Sequence, residues 1–310
     1  MFETPSLPFS IGPPVWGCEH WAGKVYPEGT AKKDFLRWYA RTFNVVEGNS
    51  TFYGLPSDDT LHRWVDETPD GFEFCLKFPR VISHEAMLEN CETDTQFFLD
   101  RLAILDRGRR LGPTFLQLGP DFAPERLTSL QRFLESLPED YPWAVEVRHP
   151  GWFDAGAAPG DGECDAGVSI GAGGGFEDRL DELLRRLRID KVLFDSRALF
   201  QSTPDDEIEI RSQSRKPNPP HRETVTANRP MIRMVGRNRV ELARPHVRRW
   251  APVVADWIAR GLRPIIFTHA PDDRMAPDFA RMWMEELSSR FPGDELALPT
   301  PPPNRQPTLF

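Results

Sequence analysis

The chain has 310 residues, 39% hydrophobic and 27% charged, with a formal net charge of −9. That length suits one large domain or two small ones, and the acidic balance argues against broad nucleic-acid binding, which needs an excess of Lys and Arg over a face. No apolar run approaches the ~20 residues of a membrane span, and the opening "MFETPSLPFSIG" lacks a basic region followed by an apolar stretch, so neither a membrane partner nor a signal peptide is expected.

Elements follow in chain order. A short apolar run, "PFSIG" (8–12), precedes a helical pattern, "AKKDFLRWYART" (31–42). The runs "FNVVEGN" (43–49), "FEFCLKF" (72–78), "PTFLQLG" (113–119) and "WAVEVRH" (143–149) come next, separated by helical patterns at 57–68, 93–107 and 124–137. A Gly- and Ala-rich stretch (155–175) leads into the helical "FEDRLDELLRRLR" (176–188) and the run "DKVLFDS" (190–196). A polar, Pro-containing stretch (203–229) leads into "PMIRMVG" (230–236), a helix at 245–261, "RPIIFTH" (263–269) and a helix at 277–290. Apolar residues recur at three- and four-residue steps in several of the helical patterns. Pro124 and Pro277 suit a first helical turn, and Gly261 suits a helix stop.

Eight strand–helix alternations predict an α/β fold, a single closed (β/α)8 TIM barrel spanning residues 1–290, with long loops after strands five and six. Residues 291–310 read as a Pro-rich tail. Cys18, Cys75, Cys91 and Cys164 show no CxxC or CxH spacing, which argues against a zinc knuckle, an iron–sulfur site or a disulfide scaffold and makes a reducing cytoplasm the expected location.

Side chains alternate along a strand. Glu47 and Asn49 therefore share one face, and Glu146 and Arg148 another. Lys77, Gln117, Asp195, Arg233 and His269 stand at or near the ends of their own strands. On such a barrel these ends converge on the rim where active sites lie. Glu47 and Glu146 offer a carboxylate pair for proton transfer. Lys77 is a base, a Schiff-base nucleophile if buried, or an anion ligand. Arg148 and Arg233 offer planar forks for phosphate or carboxylate. His149 and His269 can shuttle protons. The alternative is an internal salt-bridge plug, for example Arg148 between Glu47 and Asp195. A divalent metal held by oxygen and imidazole ligands is conceivable, but no HExxH or HxH occurs and no cofactor is expected. Trp16, Trp21, Tyr26, Phe52 and Tyr53 fall in the first two loops, where aromatic rings either stack on a ligand or cap the core.

The stretch from "GPPVWG" to "PRVISHE" resembles the N-terminal signature of the YecE-like family, a domain of unknown function numbered seventy-two. Its pattern is met by Trp16, Glu47, Asn49, Thr51, Phe52, Tyr53, Pro56, Trp64, Thr68, Pro69, Phe72, Phe74, Lys77, Ile82 and His84. "LGPTFLQLGPDF", "AVEVRHPGWF" and "IRMVGR" resemble later family blocks. The resemblance implies a TIM barrel of unassigned activity, compared at fold level with endonuclease-IV-like and xylose-isomerase-like barrels. Those barrels use several His and carboxylate ligands for metals, whereas this rim is richer in Glu, Lys and Arg, which argues against direct transfer of a metal-dependent nuclease mechanism. The chain also departs from the family in "IIFTHAPDDRMAP", where an Asn-Asn strand end is usual, and in the 155–175 insertion.

The closing "QPTLF" stands outside this family pattern. Gln306, Leu309 and Phe310 match the Gln-x-x-Leu-Phe peptide by which bacterial replication and repair proteins dock on the sliding clamp. Leu309 and Phe310 packing back onto the outer helices is the plainer reading. Three functional readings follow. The first is an enzyme working by acid–base chemistry on a small anionic, phosphate-bearing substrate, with Glu47, Lys77, Glu146, His149 and Asp195 catalytic and Asn49, Tyr53, Gln117, Arg148, Arg233 and His269 binding. The others are a nucleic-acid-metabolism protein recruited by the clamp and a non-catalytic small-molecule binder.

Overall fold

A computed structural model describes residues 7–153, 175–291 and 298. The tail residues Gln306, Leu309 and Phe310 and most of the 155–175 stretch lie outside the described residues. All eight expected apolar runs form strands: β1 Ser10–Gly12, β2 Val45–Gly48, β3 Glu73–Leu76, β4 Thr114–Gln117, β5 Trp143–Glu146, β6 Asp190–Asp195, β7 Met231–Val235 and β8 Ile265–His269. Between them run α1 Phe35–Thr42, α2 Asp58–Glu67, α3 Glu92–Arg107, α4 Leu127–Glu135, α5 Phe176–Leu187, α6 Arg197–Phe200, α7 Glu207–Arg215, α8 Arg244–Ala259 and α9 Ala276–Ser288.

The helices begin and end where their chemistry allows. Ser57 caps α2, its Oγ accepting from the Thr60 amide at 3.3 Å, and Asp206 caps α7 through the Glu209 amide at 2.8 Å. Gly261, at φ +83°, follows the end of α8. The segment 203–229, expected as a loop, holds α7. Its "EIEI" alternates as a strand would, and Ile208 and Ile210 are both exposed. In α8, Val247, Trp250, Ala251, Val254 and Trp257 form the buried stripe. Fully burying a large apolar side chain of this kind contributes about 1.5–3 kcal/mol.

The strands do not form the expected closed eight-stranded barrel. Six make one open, curled parallel sheet in the order β1-β8-β7-β6-β5-β4, while β2 and β3 pair separately. Two seams interrupt the ladder. At the first, β1 is three residues long and runs into Pro13 and Pro14, which have no N–H to donate. The Asn44 side chain takes the place of ladder bonds there, accepting from the Ile11 amide at 2.8 Å and donating to the Phe9 carbonyl at 2.9 Å. The chains approach so closely that a Cβ on Gly12 would lie 2.1 Å from the Val45 carbonyl oxygen. At the second seam β3 meets β4 only through isolated bridges, Phe74 to Leu111 and Lys77 to Phe115, on either side of Pro113. Among the described residues no helix is long and apolar enough to cross a membrane.

One apolar layer fills the concave side of the strands: Val45, Cys75, Phe115, Ala144, Val192, Met231, Ile265 and Phe267. Side chains on one face repeat every second residue. The next layer is thereby fixed as Glu47, Lys77, Gln117, Glu146, Phe194, Arg233 and His269.

Candidate functional site

Arg233 is the hub of this second layer. Its Nε and Nη2 donate to Glu47 at 2.8 and 2.7 Å, and Nη1 donates to Glu146 and, at 3.3 Å, to the Gln117 side chain. Arg148 donates from Nε to Glu146 at 2.6 Å. Asn49 donates to Glu47 at 2.7 Å. All of Glu47, Glu146 and Arg233 are buried.

Burial alone would raise the Glu47 carboxyl, but Arg233 and His269 outweigh it and hold it well below the usual carboxylate range. The same contest, with Arg233 and Arg148 opposing burial, brings Glu146 down to about 2. Burial lowers His269 to about 4 against the pull of Glu47, so the ring is neutral at pH 7. Its Nε2 lies 2.9 Å from Glu47. An ionised carboxylate only accepts, so Nε2 carries the proton and donates it. The chain Glu47–Arg233–Glu146–Arg148 thus resembles the salt-bridge plug, with Arg233 at its centre instead of Arg148.

Lys77 belongs to the same layer but not to the plug. Its ammonium sits 3.7 Å from the centroid of the Phe52 ring and makes no ion pair among the described residues. The residue is 7% exposed. Burial, then the neighbouring Arg233 charge, pushes its pKa down to about 7. Above it opens a cavity of about 320 Å³ lined by Pro14, Val15, Asn49, Phe52, Tyr53, Lys77, Gln117, Arg148, Lys216, Arg233, His269 and Asp273. Lys216 follows α7 and also makes no ion pair among the described residues; burial and Arg233 lower it to about 8.

Nine of the eleven candidate site residues singled out from the sequence thus come together: Glu47, Asn49, Tyr53, Lys77, Gln117, Glu146, Arg148, Arg233 and His269. Tyr53 stands on the rim, 82% exposed. Asp195 and His149 are not brought to this cavity. On β6 it is Phe194 that shares the parity of Val192, so Asp195 turns to the helix side. There it accepts from the Trp250 indole at 2.7 Å and from Arg197, which hold it ionised against burial. His149 accepts the Gly151 amide at 3.0 Å and shapes the following turn. Sequence reasoning missed Lys216, which follows the end of α7, and Asp273, which opens a single short 3-10 turn; neither lies on a periodic pattern. It also missed the role of His84, whose ring packs 4.9 Å from Phe52 and is lowered to about 4 chiefly by burial, then by Lys77. Among the described residues no group of three or more His, Cys, Asp or Glu side chains is arranged to hold a metal ion.

A family model described as "Protein of unknown function DUF72" matches residues 10–162 and 172–306. The UPF0759 protein YecE of Escherichia coli K12 is 34% identical over 282 residues, covering 91% of this chain and 93% of that protein. The crystal structure of a DUF72 family protein from Thermotoga maritima superposes with a TM-score of 0.63 at 23% identity, covering 90% of this chain and 99% of the other. A DUF72 family protein from Enterococcus faecalis gives 0.61 at 18% identity, covering 84% and 95%. At these identities the two structures speak for the fold alone.

Proposed function

The chain belongs to the DUF72 family, whose description assigns no function, and from that premise we propose that the cavity binds a small anionic, phosphate-bearing substrate and performs acid–base chemistry on it. One observation carries the reading. Four cationic side chains, Lys77, Arg148, Lys216 and Arg233, line a single cavity, and two of them, Lys77 and Lys216, have no ion-pair partner among the described residues. A plug whose only task was structural would pair its charges, because an unpaired buried ammonium is costly. An anion in the cavity supplies the missing partner.

The roles divide by chemistry. Glu47 and Glu146 are spent on fixing Arg233 and Arg148. Arg148 uses Nε on Glu146 and presents the rest of its planar fork to the cavity. Lys216 adds a second cation. Lys77, with a pKa of about 7, is the group able to gain and lose a proton near neutrality. Titration calorimetry with inorganic phosphate near neutral pH tests the reading. Saturable binding that is lost in Arg148→Leu combined with Lys216→Met supports it, and no heat from the native protein removes it. Turnover over a panel of sugar phosphates then separates an enzyme from a non-catalytic binder.

A further inference from the structure

We propose that Lys77 is a Schiff-base nucleophile and that the substrate is an aldehyde or ketone carrying the anionic group. The inference rests on the anion-binding reading and adds the reacting function of the ligand.

Cations in this chain are overwhelmingly arginine: 32 Arg against six Lys. Arginine cannot release its proton in a protein, whereas a lysine can. Lys24 pairs with Asp278, and Lys191 pairs with Glu177 and Asp181. Lys32 pairs with Glu19, and Lys33 is exposed. The two remaining lysines are those of the cavity. Lys77 is the one fixed by a strand end, through its amide on the Gly48 carbonyl at 3.1 Å and its carbonyl on the Thr51 hydroxyl at 2.6 Å. Its stem runs through the packed layer and its Nζ lies over the Phe52 face.

The surroundings favour the free amine. The guanidiniums of Arg233 and Arg148 disfavour a third positive charge beside them, while Glu47 and Glu146 are already committed to those two arginines. A lysine desolvated next to other cations is an activated nucleophile. In the step itself, the Nζ lone pair attacks the carbonyl carbon and forms a C–N bond. The C=O π electrons move to oxygen, which takes up a proton as Nζ loses one. The carbinolamine hydroxyl then takes a solvent proton and leaves as water, giving a protonated imine. No oxidant or reductant is consumed.

Pyridoxal 5′-phosphate, an aldehyde bearing phosphate, followed by borohydride is the test probe, used with the intact native protein at neutral pH and read by peptide mapping. Lys77 is expected to carry the reduced adduct first, on the order of 10- to 100-fold faster than Lys33, since burial and the Arg233 charge bring the pKa of the Lys77 amine down to about 7. Inorganic phosphate should slow labelling of Lys77 and leave Lys33 unchanged. Lys77→Met should lose the fast adduct, and the mapping of the native protein stands whether or not that variant folds. An adduct that favours Lys216, or labelling at equal rates without phosphate protection, overturns the proposal. If calorimetry shows phosphate bound and Lys77 stays unlabelled, the Schiff base alone falls; if phosphate does not bind, the anion reading falls with it.

Discussion

Lys77 sets the pH behaviour at the scale of a single residue. In the unfolded chain its amine stays protonated up to about pH 10.4, whereas in the folded protein it does so only below about 7. Between those values unfolding takes up a proton, so stability contributed through this group rises with pH. Below pH 7 the folded state carries the full cost of a desolvated ammonium. Lys77→Met has nothing to protonate and keeps the packing against Phe52. It is therefore expected to be more stable than the native protein at neutral pH, with the gap closing toward pH 10 by at most about 1.4 kcal/mol per pH unit. Urea unfolding of both proteins at neutral and alkaline pH measures the gap. A gap that does not change with pH would mean that Lys77 has an ordinary pKa.

Among elements, the question is what holds the β2–β3 pair against the six-stranded sheet when the ladders stop at both seams. Two bidentate pairs do so, one at each end of the strands. Glu47 on β2 grips Arg233 on β7, and Glu73 on β3 grips Arg229, just before β7, with both bonds at 2.6 Å. The second pair is about one-fifth exposed, so its loss is bearable for the fold. Glu73→Ala should cost about 1–3 kcal/mol and speed amide exchange in Val45–Gly48 and Glu73–Leu76 ahead of β6 to β8. A double-mutant cycle with Arg229→Ala should return a coupling of about 0.5–3 kcal/mol; additive effects would show that the pair does not join the sheets. The sequence displayed the strands because each is a short apolar run, and it displayed most of the polar layer because "VVEGN" and "AVEVR" alternate visibly. It could not display the opening of the sheet. That depends on Asn44 replacing ladder bonds and on Pro13, Pro14 and Pro113, whose effects are felt only once neighbouring strands are known. Nor could it orient Asp195, because the residues just before it, "VLF", are apolar on both faces and leave the parity of this strand end undefined.

Across the whole molecule, a net charge of −9 surrounds a cavity lined by four cations. The two act over different distances. The cavity cations reach a bound group at contact range in a partly desolvated setting, where screening is weak, while the surface charge acts through water over a Debye length of about 10 Å at 0.1 M salt. A single phosphate can enter and meet Arg148, Lys216 and Lys77 without lying along the acidic exterior. A nucleic-acid strand must extend beyond the cavity, and its other phosphates meet a chain whose net charge is −9. The protein is therefore expected to discriminate by the extent of the anion and not only by its chemistry. Inorganic phosphate should bind with an affinity that changes little with added salt. A duplex of about 20 base pairs should bind weakly even at low salt and lack the steep salt slope that counterion release imposes, close to −0.9 per phosphate neutralised. Fluorescence anisotropy of a labelled duplex across a salt series, beside calorimetry with phosphate, measures both. A steep slope with tight duplex binding would place the functional surface outside the cavity and make the four cations one part of a longer polyanion track.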